Sequence, residues 1–256
     1  MVYVHNINPV LLKLGFFELR YYSLAYMLGA VIVYLLIKKI VKDKNLKIDN
    51  SILSSLFLTI LAGILIGARI GYVLFYNLTF YLKNPLEVLA LWHGGMSFHG
   101  GLIGSFIAAY LFCKKHRLNF WQIADISVIP VGIALFFGRL ANFINAELYG
   151  RITTIPWAVK FPNVEGYRHP SQLYEALKNL VIFVVLWSMK DKKFKHGFLF
   201  WLFVLMYGLL RFTIEFFRAP DFQIGLILNL TLGQWFCLVM VLLSSFMLIR
   251  LRHNKP

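Results

Sequence analysis

Tyr207, Arg211, Glu215 and Arg218 stand at i, i+4, i+8 and i+11 in the otherwise apolar stretch YGLLRFTIEFFRAPD. On a helix that spacing puts all four within about 100° of one another, on a single face. A charge placed in lipid costs at least ~2.5–3.5 kcal/mol, so the face must line a protein interior or a wet cavity. One reading is an internal Arg211–Glu215 pair that joins helices. The other is an anion site: two guanidiniums share one carboxylate, and the surplus charge matches phosphate oxygens bidentately.

A second cluster follows the apolar run ISVIPVGIALF. The stretch FGRLANFINAELYG sets Arg139, Asn142, Asn145 and Glu147 between Gly138 and Gly150. Continued as a helix, it would carry polar groups round most of its circumference, leaving no lipid-facing stripe. The pattern therefore predicts a helix end turned into the protein, with Gly150 as its terminator. A third candidate is His99 in HGGMSFHGGLIGS. An imidazole at the head of a span suits proton exchange near neutral pH, or a plain structural hydrogen bond. Arg69, in GILIGARIGYVLF, reads either as a partner of a carboxylate such as Glu87 or Glu147 or as a ligand contact. In RHPSQLYEALKN, Gln172 and Glu175 share a face, as a polar gate or as helix-start chemistry.

The elements that hold these groups are hydrophobic. Of 256 residues, 59% are hydrophobic and only 14% charged, outside soluble norms on both counts. Spans of roughly 20 apolar residues are predicted at 21–37, 52–75, 97–113, 123–137, 173–189, 198–216 and 230–249. The net charge of +15 could suggest nucleic acid, but basic residues gather at Lys38–Lys47, Lys114–Arg117, Lys190–Lys195 and Arg250–Lys255, just beyond apolar runs. That is the pattern of cytoplasmic loops and anionic headgroups, so no nucleic-acid partner is expected. The expectation is an all-α polytopic membrane protein of about seven transmembrane helices, amino terminus outside and carboxy terminus cytoplasmic. Residues 1–256 would form a single integral membrane domain, with residues 138–172 a small extracytoplasmic cap between helices four and five. No cleavable signal is expected, since the first residues lack a basic region. Cys113 and Cys237 are isolated in apolar segments and suit packing. No motif calls for a metal, a Walker loop or a nucleophile elbow, so no cofactor is expected.

The stretch from Gly138 to Gly150 resembles the G-R-x-x-N-F-x-N-x-E-x-x-G signature of the prolipoprotein diacylglyceryl transferases, matched without a break. INPVLLKLGFFELRYYSLAY, GGMSFHGGLIG, RHPSQLYE and YGLLRFTIEFFRAPD follow in that family's order and spacing. The resemblance implies a seven-span enzyme of the bacterial inner or plasma membrane, active on its extracytoplasmic side. Such enzymes move the diacylglyceryl group of phosphatidylglycerol to the lipobox cysteine of a preprolipoprotein, forming a thioether and releasing glycerol 1-phosphate. By resemblance, Arg139 holds the head group, and Arg211 stabilises phosphate or activates the thiol. Asn142, Asn145 and Glu147 orient Arg139 and the glycerol hydroxyls, with Gly150 closing the motif. Tyr26 and Tyr207 bond the head group, Glu215 fixes Arg211, and Arg218 widens the positive field. His99 is the physically natural general base. A phospholipid transporter or flippase could use the same arginines, although no internal repeat between halves supports one. A non-catalytic scaffold would leave the constellation unexplained.

Overall fold

The computed structural model describes residues 3–15, 17–219 and 227–253. Each predicted apolar run becomes a helix, extended by a turn or less at some ends and by two at others. They are α1 (Tyr21–Asp43), α2 (Asn50–Tyr76), α4 (Phe98–Lys115), α5 (Phe120–Ile144), α6 (Ser171–Met189), α7 (Phe198–Glu215) and α8 (Leu232–His253), with a short α3 (Leu78–Lys83) after α2. Five of them, α1, α2, α5, α7 and α8, are long and apolar enough to cross a membrane, which makes the chain a polytopic membrane protein. Helix α6 is less apolar because Gln172, Glu175, Lys178 and Asn179 lie on it, all of them buried. Four short strands, which hydropathy alone does not predict, lie outside the helices. β1 (Tyr3–Val4) runs parallel to β4 (Val159–Lys160), and β2 (Val10–Leu14) pairs antiparallel with β3 (Phe17–Arg20).

The chain forms two compact units: one from the residues up to Lys44 together with those from Ala124 onward, the other from Asn45–Ile123. In the first, the start of α7 is fixed to α5 by a buried carboxylate. Asp125 accepts hydrogen bonds from the backbone N–H groups of Gly197 (2.6 Å) and Phe200 (2.8 Å). A negative charge there meets the unsatisfied donors and the positive end of the helix dipole. Fourteen residues separate Asp125 from Arg139, and fourteen separate Gly197 from Arg211. That is about 21 Å of helix in each case, so the cap at one end brings the two arginines level at the other. Helix α6 lies close on α5 because Gly132 has no side chain: a Cβ there would sit 3.1 Å from the Asn179 carbonyl oxygen. Helix α8 begins at a reciprocal cap, in which Thr231 N–H donates to Gln234 Oε1 (2.9 Å) and Gln234 N–H to Thr231 Oγ1 (3.1 Å).

In the second unit, α2 and α4 touch backbone to backbone along Gly63, Gly67, Gly71, Gly100 and Gly104. This is the close approach expected of GxxxG spacing. Arg69 makes neither of the contacts anticipated for it. Its five N–H donors reach the backbone carbonyls of Val88 (2.9 Å), Gly94 (2.5 Å), Gly95 (3.1 Å), Glu87 (2.5 Å) and Ala90 (3.0 Å). A guanidinium has five donors, so none remains for a ligand, and Arg69 is a clamp on the segment after α3. The Glu87 carboxylate turns to His93 Nδ1 instead, at 2.8 Å.

A Cβ at Gly104 would lie 2.1 Å from the Gly63 carbonyl oxygen, whereas one at Gly138 would meet no described atom within 4 Å. Gly104→Leu is therefore expected to destabilise the solubilised protein by about 1–3 kcal/mol or more. Gly138→Ala is expected to be neutral or stabilising by about 0.5–1 kcal/mol. Thermal unfolding in detergent checks both; equal melting points for the two variants would contradict the packing described.

Candidate anion site around Glu175

The site lies where the ends of α5 and α7 meet the start of α6. Helix α5 does not run to Gly150. It stops at Ile144 and closes with a left-handed residue, Ala146 (φ 55°). Ala146 N–H bonds back to the Phe143 carbonyl (3.0 Å) and Glu147 N–H to the Asn142 carbonyl (3.1 Å). This is a Schellman closure, usually glycine's position. Gly150 is thus not the terminator. A Cβ there would lie 2.4 Å from the Phe217 carbonyl oxygen and 2.6 Å from His169 Cβ. Only glycine lets the segment press against the residues that follow α7. The closure folds Glu147 back so that its carboxylate accepts from Asn142 Nδ2 at 2.6 Å. Asn142 Oδ1 in turn faces Arg139 Nη1 at 3.5 Å. Gln172 Nε2 donates to the Glu147 carbonyl (2.6 Å) and Ser171 Oγ to that of Leu148 (2.8 Å), which pins the turn to the start of α6.

At the centre is Glu175, only 2% exposed. Its carboxylate collects three cations: Arg211 through Nη1, Lys178 Nζ at 2.7 Å, and Arg139 Nε at 3.7 Å. Arg211 Nη2 also pairs with Glu215 Oε2 at 2.5 Å. The other oxygen of Glu215 accepts from Thr231 Oγ1 at 3.1 Å. Lys178 Nζ sits 3.7 Å from the centroid of the Tyr207 ring, a cation–π contact. Three cations thus face two carboxylates, and the arginine side chains keep 21% (Arg139) and 14% (Arg211) of their surface open. Two partly open guanidiniums side by side can share the oxygens of an anion.

The predicted residues divide accordingly. Arg139, Asn142 and Glu147 form one network, and Arg139, Arg211 and Glu215 converge through Glu175. Tyr207 joins through Lys178. The buried Oδ1 of Asn145 finds no donor among the described residues, and neither does that of Gln172 Oε1. Arg218 does not share the face of Arg211, because α7 ends at Glu215. Its backbone bridges to Gly150 instead, and its carbonyl accepts from Arg151 Nε at 2.9 Å. Pro220 and Asp221, at the end of that quoted stretch, lie outside the described residues. Tyr26 is exposed, with its hydroxyl 3.1 Å from that of Tyr22, and Tyr22 lies within electrostatic range of Arg139 and Glu147. His99 belongs to the other unit, exposed in the first turn of α4, behind the Ser97 cap.

Three contributors escape sequence reasoning. Glu175 is legible only as a polar residue at a helix start, not as the hub. Lys178 passes for an ordinary lysine, although i, i+3 spacing from Glu175 is a signal that could have found it. Tyr22 offers no signal at all.

Five helices long and apolar enough to cross a bilayer, with buried charges gathered where helix ends meet, define a polytopic membrane protein. Residues 9–250 match the family described as prolipoprotein diacylglyceryl transferase. Relatives named phosphatidylglycerol–prolipoprotein diacylglyceryl transferase are similar over nearly the whole chain. That of Geobacter sulfurreducens is 40% identical over 253 residues, 98% of this chain and 97% of the relative. That of Ehrlichia ruminantium strain Gardel is 44% identical over 259 residues, 97% of this chain and 99% of the relative. That of Rickettsia rickettsii strain Sheila Smith is 45% identical over 249 residues, 95% and 96% respectively. The chain belongs to the prolipoprotein diacylglyceryl transferase family.

If Glu175 is the hub, Glu175→Gln leaves three cations with one neighbouring carboxylate. Breaking a buried ion pair from one side costs about 3–5 kcal/mol. A large fall in detergent melting temperature is expected, and an unchanged one would remove Glu175 from the centre of the site.

Proposed function

We propose that this transferase moves the diacylglyceryl group of phosphatidylglycerol to the lipobox cysteine thiol of a preprolipoprotein, at the cationic site around Glu175. The convergence of Arg139 and Arg211 on one buried carboxylate, with positive charge in surplus, carries this reading. The thiol gives its proton to a general base, and the thiolate attacks the glyceryl carbon that bears the phosphate. A carbon–sulfur bond forms as the carbon–oxygen bond breaks. Its electron pair stays on the phosphate oxygen, and glycerol 1-phosphate leaves. A thiol of pKa ~8.5 needs help to ionise, and the departing phosphate needs positive charge.

In this reading Arg139 and Arg211 bind the phosphodiester and stabilise it as it leaves. Asn142, Asn145 and Glu147 aim Arg139 and take the glycerol hydroxyls, an assignment supported by the Asn145 oxygen, which finds no donor among the described residues. Glu215 fixes Arg211, and Tyr207 and Tyr26 contribute hydroxyls. Gly150 and Arg218 shape the segment behind the site. His99 is the general base on its chemistry alone. No metal or nucleic acid enters the reaction. The transporter reading is not favoured, because the relatives are named as transferases.

The finer arrangement belongs to the same proposal. The seven long helices all span the bacterial inner membrane as a single domain, with α4 and α6 among them. The amino terminus and the segment 138–172 lie outside, and the four basic clusters lie in the cytoplasm.

Purified protein, phosphatidylglycerol and a lipobox peptide test the reaction by peptide mass. A diacylglyceryl adduct is expected, and its absence would sink the transferase reading. Arg139→Ala is expected to lose about 10²-fold or more in rate, and His99→Gln about 10²–10⁴-fold. A peptide with serine in place of the cysteine should stay unmodified, since an alcohol barely ionises at neutral pH; efficient labelling would contradict the thiolate step.

A further inference from the structure

Lys178 is a charged residue that the reaction as described does not use. Its side chain is 1% exposed, against 21% for Arg139 and 14% for Arg211. It therefore cannot meet a head group as the arginines can. Its ammonium lies 2.7 Å from Glu175 Oε2, the same oxygen that Arg139 reaches only at 3.7 Å. The face of the Tyr207 ring covers it at 3.7 Å. A buried ammonium is tolerated when it is paired in this way.

We infer that Lys178 is a positioning residue that serves as the standing counter-ion of Glu175, keeping Arg139 and Arg211 available to the phosphodiester of the lipid. The inference rests on the anion site proposed above. Glu175 is the internal competitor of the phosphate, since it already holds both guanidiniums. Among the groups in direct contact, Arg139, Lys178 and Arg211 carry three positive charges and Glu175 and Glu215 two negative ones, a surplus of one, while Glu147 reaches Arg139 only through the Asn142 amide. Without Lys178 the surplus vanishes, and Glu175 draws the arginines to itself. Acting through the carboxylate, Lys178 sets affinity for the charged head group without touching it.

Lys178→Met removes the charge and nearly keeps the volume. The KM for phosphatidylglycerol is expected to rise about tenfold or more, as for a unit charge lost beside a partly buried anion, with kcat much less affected. Inhibition by glycerol 1-phosphate, which shares the phosphate, should weaken in parallel, while inhibition by neutral diacylglycerol should not change. The double variant Glu175→Gln/Lys178→Met restores the surplus of one and is expected to recover much of the lost affinity. Lys178→Arg, which keeps the charge, is expected to hold KM within about twofold. A Lys178→Met enzyme with wild-type KM and reduced kcat or stability would overturn the inference and leave a packing role. A double variant no better than Lys178→Met would overturn it as well. If Lys178→Met does not fold, the double variant and Lys178→Arg decide: a KM raised strongly in both would refute the charge argument. Failure of the wild type to form any adduct would instead refute the transferase reading itself.

Discussion

Three helices of the first unit, α5, α6 and α7, meet at one buried carboxylate. Glu175 is 2% exposed, and an ionised carboxylate in such surroundings costs several kcal/mol unless it is paired. The pairing comes from two other helices and from its own next turn: Arg139 on α5, Arg211 on α7 and Lys178 on α6. The requirement runs both ways. Each arginine sits in a helix too apolar to carry a bare charge, so each needs the carboxylate as much as the carboxylate needs them. This mutual dependence ties three helix ends together.

That junction is held from several sides. Asp125, some 21 Å of helix away, caps α7 and sets its register against α5. The left-handed turn at Ala146 returns Glu147 to Asn142, which steadies Arg139 from the side away from Glu175. Gly150 permits the next segment to press onto the end of α7, where the Arg151 side chain donates to the Arg218 carbonyl. Glu215 is anchored in turn by the cap of α8 at Thr231. Of the motif's glycines and asparagines, Asn142 is the one that faces the Arg139 guanidinium. Three buried amide oxygens, of Asn145, Gln172 and Asn179, find no donor among the described residues.

The residues that do not enter this junction are informative too. Arg69, a charge in the middle of an apolar helix, looked as suspicious as Arg139. Its five donors are consumed by five carbonyls of one irregular segment, so it solves a backbone problem. Arg139 and Arg211 instead meet carboxylates and keep part of their surface open. The difference between a clamp and a ligand site lies in what each guanidinium finds within reach, and residue type does not report that.

Every long helix was legible in the sequence, because a long apolar run is a local property of the chain. The cationic face of α7 was legible as far as Glu215, since helical periodicity is also local. The short strands were not, being two to five residues each, nor was the end of α7, which displaced Arg218 from that face. The turn at Ala146 was misread because glycine is the usual residue at such a position and alanine gives no warning. By itself, the sequence determined that this is a polytopic membrane protein with misplaced charges, and its motif named the family. Only the tertiary structure decided which charges meet. Glu175 and its three cations come from three helices with up to 72 residues between them, and no local pattern encodes a balance of charge struck across that distance.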